Sequence, residues 1–140
     1  MEKQELEQKL DELSGMAKTL IDDSRKFLKR HKWIKGDEED GQGGYCMFGA
    51  IHQTQKDLST QLDKGELNAI VAATECVFAD TEEMEIPEFN DDHATSKQQI
   101  LRKFGMLKRK HRAIAKEAAE ILDYKLDDVN EESTDEEDEA

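Results

Sequence analysis

Apolar side chains recur every three or four residues along most of this chain, and that period predicts helices. Leu6, Leu10, Leu13, Ala17 and Leu20 alternate spacings of four and three, a heptad-like stripe on one helical face. Ser14-Gly15 is an expected interruption, because glycine weakens a helix interior by about 1 kcal/mol and serine caps a restarted helix well. Leu20, Ile21, Phe27 and Leu28 carry the apolar face on towards Trp33, near which the helix ends. Residues 36–44 hold four consecutive acids and end in glycines, with neither apolar periodicity nor β-branched residues, so they predict an exposed loop. Tyr45 to Ile51 is a compact apolar run in which Gly49 and Ala50 would let a short helix approach its neighbour closely. Leu62, Leu67, Ile70, Val71, Val77 and Phe78 predict a further helix within residues 58–78, with Asp63 or Ser59 as its start signal. Pro87 biases Ile86 away from helix and marks an ordered turn over residues 86–92. Thr95 or Ser96 then caps the last helix, where Ile100, Phe104, Leu107, His111, Ile114, Ala118 and Ile121 form one continuous stripe.

The composition fits that reading. Hydrophobic residues make up 36% and charged residues 39%, with a single proline, which suits amphipathic helices and argues against a sandwich or barrel of short strands. At 140 residues the chain is the size of one ordinary domain. The expected fold is all-α, a single-domain compact helical bundle with two long helices and a disordered acidic C-terminal tail. Its expected divisions are an N-terminal helical extension over 1–15, a helical domain over 16–124 and the tail over 125–140. No apolar run approaches the roughly 18 residues needed to span a bilayer, and the first residues are charged where a signal peptide would be hydrophobic. The expectation is a cytoplasmic protein of a bacterial or phage-infected cell, with no membrane partner. Cys46 and Cys76 are too few for a disulfide framework and point to a reduced compartment.

Charge is unevenly distributed. Ten acids against one lysine from Asp123 onward carry −9 of the total −14, leaving −5 for the first 122 residues. Arg25, Lys26, Lys29, Arg30, His31, Lys32 and Lys35 form one basic cluster, and Lys108, Arg109, Lys110, His111 and Arg112 another. The folded part is therefore electrically mixed.

Trp33, the glycine-rich loop, the run Cys46-Met47-Phe48-Gly49-Ala50-Ile51, the segment Ile86-Pro87-Glu88-Phe89-Asn90-Asp91 and a helix begun at Thr95 with Gln98-Gln99-Ile100-Leu101 occur in that order. Together they resemble an uncharacterised small domain, a domain of unknown function, found in bacteria and their phages. Its pattern is a helix ending in Trp, a Cys-x-x-Gly-Ala element, an Asn-Asp turn usually preceded by Trp, and a closing helix. Phe89 stands where the second Trp would be. The resemblance covers roughly residues 16–110 and implies a shared fold, with no activity to carry over. It marks Trp33, Cys46, Gly49, Ala50, Phe89, Asn90 and Asp91 as motif residues, read here as structural.

The runner-up function is a small Cys-dependent enzyme centred on Cys46, which would require a Cys46 thiolate, a base such as His52 or His93, and an orienting group such as Asn90 or Asp91. The simpler reading makes Cys46 a small buried hydrophobe and Asn90-Asp91 a turn or cap. No cofactor or metal is expected: two Cys thirty residues apart lack zinc spacing, Asp37 to Gly41 lacks the alternation of a calcium loop, and no glycine motif precedes a lysine as in a phosphate loop. The basic segment 25–35, with Phe27 and Trp33 interleaved, offers a nucleic-acid surface as an alternative function, opposed by the acidic loop and tail. A homodimer through the N-terminal stripe is a further possibility. The favoured expectation is a non-enzymatic acidic interaction module, in its most specific form a phage-type inhibitor that engages the basic surface of a nucleic-acid-handling protein. The expected contact residues are Asp37, Glu38, Glu39 and Asp40 in the loop and Glu131, Glu132, Asp135, Glu136, Glu137 and Asp138 in the tail.

Overall fold

The computed structural model describes residues 1–127, and the tail positions from Glu131 to Asp138 lie outside them. The first helix, α1, runs from Lys3 to Lys29. Two-residue strands β1 (Lys32–Trp33) and β2 (Gly44–Tyr45) follow, then α2 (Met47–Leu58) and α3 (Lys64–Glu82). A single turn, α4 (Ile86–Glu88), passes into a π-helical turn over Phe89–His93, and α5 (Lys97–Arg109) and α6 (His111–Ile121) close the fold. The long helices are α1 and α3.

Two local expectations need correction. Helix α1 runs unbroken through Ser14-Gly15, because packing outweighs the cost of one glycine: Leu13, Ala17 and Leu20 are fully buried, and Ser14 Oγ bonds His111 Nδ1 on α6. Residue 15 thus falls inside a helix whose earlier turns also pack on the fold. Secondly, the last helix is two. The chain bends at Lys110 (φ −99°, ψ 19°), so that α5 lies against α1 while α6 packs between α1 and α3. Its apolar stripe stays in register across the bend, so periodicity alone could not reveal it. The acidic loop is exposed over residues 36–43, as expected, and is tethered to the body at its ends. β1 and β2 pair in parallel, Lys32 with Gly44 and Trp33 with Tyr45, and Glu39 bridges Tyr45.

One core joins all the helices. Leu13, Leu20, Leu28, Met47, Leu67, Ile70, Phe78, Ile86, Ile100, Phe104, Leu107 and Ile114 are buried in a single cluster. Asp63 caps α3 by accepting the Glu66 N–H at 2.8 Å, and Ser96 caps α5 by accepting that of Gln99 at 3.3 Å. Helices α5 and α6 run antiparallel to α1. Lys97 Nζ reaches the Lys29 and His31 carbonyls, Lys108 pairs with Asp22 at 2.9 Å, and Arg112 pairs with Asp11 at 2.5 Å. No helix of the described residues is long and apolar enough to cross a membrane.

Candidate functional site

Trp33, Cys46, Gly49, Asn90 and Asp91 meet at one junction. Asn90, on the π-helical turn, is completely buried. Its Oδ1 accepts the Trp33 indole N–H at 2.7 Å and the Met47 N–H at 3.1 Å. Its Nδ2 donates to the Ile34 carbonyl at 3.0 Å and to Asp91 Oδ1 at 2.9 Å. Asp91 Oδ1 in turn accepts the Gly36 N–H at 2.9 Å, where φ of +91° suits glycine. One amide therefore ties the chain after α1 to the start of α2 and to the turn before α5.

Cys46 is the N-cap of α2, and its Sγ accepts the Gly49 N–H at 3.3 Å. Burial pushes the thiol above its ordinary value, with Glu38 and Asp91 adding to the rise and the Gly49 and Phe48 N–H groups opposing it. The Cys46 N–H donates to the Glu38 carbonyl at 3.1 Å. Gly49 faces that same carbonyl so closely that an added Cβ would lie 2.0 Å from its oxygen. Ala50 is fully buried, and Phe89 packs its ring 5.7 Å from that of Phe78.

The two histidines named as candidate bases have carboxylate partners. His52 Nδ1 bonds Glu38 Oε1 at 2.6 Å, and His93 Nε2 lies 3.9 Å from Glu88. Among the described residues no hydrogen bond joins either imidazole to Cys46. Residues 16–109 match a family described only as one of unknown function, DUF6197. The chain belongs to that family. No curated protein and no solved structure matches it. The whole junction lies within the DUF6197 span, whereas α6, which completes the core, lies outside it.

Beside the junction the surface opens into two adjoining clefts that share Phe48 and Pro87. One, of about 260 Å³, is lined by Gly36, Asp37, Glu38, Cys46 and Asp91 as well. The other, of about 390 Å³, adds Ala72, Glu75, Cys76, Ala79, Glu85 and Ile86. Apolar surface from Phe48, Pro87, Ala72 and Ala79 thus lines the clefts together with the carboxylates of Asp37, Glu38, Glu75, Glu85 and Asp91. Burial pushes the Glu75 carboxyl above its ordinary value, His52 pulls it back, and Glu85 adds to the rise.

The four loop acids are not equivalent. Asp37 and Glu38 line the first cleft. Asp40 turns inward on its own loop, where the Gln42 and Gly44 N–H groups at 2.8 and 2.9 Å hold its carboxyl below the usual range. Its charge is bound up in the turn, and Glu39 sits in the bridge to Tyr45. The basic cluster 25–35 is likewise dispersed: Arg25 Nε donates to the Leu101 carbonyl at 3.2 Å, His31 stacks on Phe27, and Lys35 lies 5.6 Å over Trp33. Lys26 and Arg30 border a separate hollow between α1 and α2 with Asp23 and Asp57.

Sequence reasoning missed Glu75, Glu85, Phe48 and Pro87 as one surface. Their separation along the chain hides it, and the available signal was weak: Glu75 and Phe48 stand beside buried positions of their helices, on the borders of the apolar stripes.

Proposed function

We propose that this chain is a non-enzymatic protein-interaction module that takes a basic, partly apolar segment of a partner protein into the cleft around Phe48 and Pro87. The observation that carries this reading is the combination of apolar surface with the carboxylates of Asp37, Glu38, Glu75, Glu85 and Asp91 in the same clefts. Carboxylates gathered round one cleft repel one another; at Glu75 burial is the main cause of the raised carboxyl, and Glu85 adds to it. An incoming Lys or Arg relieves the repulsion while its aliphatic stem covers the apolar surface. In its more specific form the partner is a nucleic-acid-handling protein whose basic surface is occluded, the inhibitor role raised by the sequence. The net charge of −14 assists by steering a cationic partner, an effect that weakens as salt rises.

The test is titration of the full chain with a fluorescein-labelled peptide alternating Lys and Leu. Glu75→Gln with Glu85→Gln lowers affinity about tenfold, corresponding to roughly 1.4 kcal/mol. Glu7→Gln with Glu120→Gln, an equal charge change at exposed sites elsewhere, leaves affinity within about twofold. Equal losses in the two double variants would reduce the effect to net charge and remove the cleft from the mechanism.

A further inference from the structure

A second surface carries the opposite sign and is independent of the cleft. Between His93 and Lys116 the chain contains eight lysines and arginines and no acid, in a protein of net charge −14. Part of that charge is neutralised within the fold: Lys103 pairs with Glu82 at 2.7 Å, Lys108 with Asp22 and Arg112 with Asp11. Arg102 and Arg109 are exposed, and among the described residues neither has a carboxylate within ion-pair distance. Both border a groove of about 530 Å³ along α5, with His93, Gln99 and Lys103 on its walls and Phe89 and Met106 as its apolar part.

We infer that this groove binds an acidic amphipathic peptide segment of a partner protein, its carboxylates on Arg102 and Arg109 and an apolar side chain over Met106. Arg102 and Arg109 stand seven residues apart, about 10 Å along the helix, which is the span of a few peptide residues. Both guanidinium groups offer the planar fork that carboxylates accept. Met106 lies between them on the same face, at four and three residues, so the apolar contact sits inside the charged pair.

The local chemistry favours a peptide over a nucleic acid. Phe89 is buried, and the Lys103 ammonium lies 5.2 Å from its ring centroid, so the ring offers no open platform on which a base could stack.

Fluorescence anisotropy of the full chain with a labelled peptide alternating Glu and Leu tests the assignment. The expected result is saturable binding that Arg102→Glu with Arg109→Glu weakens at least tenfold, whereas Lys64→Glu with Lys116→Glu, a matched charge change away from the groove, alters it less than about threefold. Met106→Gln separates apolar contact from charge and lowers affinity about threefold or more. Circular dichroism identical to that of the parent shows that each variant is folded. The inference is overturned by equal losses in the two charge-reversal pairs, by absence of saturable binding, or by tighter binding of a twenty-nucleotide thymidine oligomer than of the peptide.

Discussion

Asn90 and Gly49 decide whether the junction exists. Replacing Asn90 by Ala leaves the buried Met47 N–H and the partly buried Trp33 indole N–H and Ile34 carbonyl without their partner, and a fully buried loss of this kind costs on the order of 1–3 kcal/mol. We predict that Asn90→Ala lowers unfolding free energy by about 3 kcal/mol in urea titration. Gly49→Ala drives a methyl into the Glu38 carbonyl and costs about as much, whereas Gly15→Ala meets open space on α1 and stabilises by a few tenths to 1 kcal/mol. The contrast between two glycine substitutions in helices, opposite in sign, is the more discriminating result. His111 adds a pH signature. Burial holds its imidazole below the ordinary value, with Lys18 and Arg112 contributing. A depressed basic group favours the fold while neutral, so its contribution is present above the unfolded value of about 6.5 and is lost as pH falls through the lower folded one. Replacing His111 with Gln should therefore flatten the decline in stability on acidification below about pH 6.5, measured by urea midpoints at successive pH values.

Helix termini were read more reliably than helix continuity. Asp63 and Ser96 were legible as caps because a short oxygen-bearing side chain before an apolar periodic run has one evident use, and both accept the predicted kind of N–H. Asp63→Ala and Ser96→Ala should each cost about 1 kcal/mol, seen as faster amide exchange in the first turns of α3 and α5. The Ser14-Gly15 interruption and the unbroken last helix failed for a shared reason. Local propensity carries about 1 kcal/mol, and tertiary contacts outvote it: Ser14 is held by His111 across the helix pair, and the bend at Lys110 serves two packing partners at once. The short parallel pair β1–β2 was equally invisible, since two residues have no period to read.

For the whole molecule, the charge total does not show that the loop acids differ in setting. Asp40 spends its charge on its own turn, while Glu75 and Glu85, thirty or more residues further on, line the cleft. Of the motif residues, Cys46, Asn90 and Asp91 bond backbone at the junction, Trp33 bonds the Asn90 side chain, and Gly49 leaves room for the Glu38 carbonyl. The cleft beside the junction and the groove along α5 each depend on side chains brought together only by folding. The two surfaces make a bipolar molecule, and raising salt from 50 to 500 mM should weaken both peptide interactions by about an order of magnitude without changing the circular dichroism spectrum.

The most direct measurement is an amide chemical-shift map of the full chain titrated with the Lys-Leu peptide. The account predicts saturable shifts concentrated at Phe48, Ala72, Glu75, Cys76, Ala79 and Glu85, with the α5 groove around Arg102 and Met106 unmoved. Shifts spread evenly over the exposed acids, or centred away from the cleft, would contradict it.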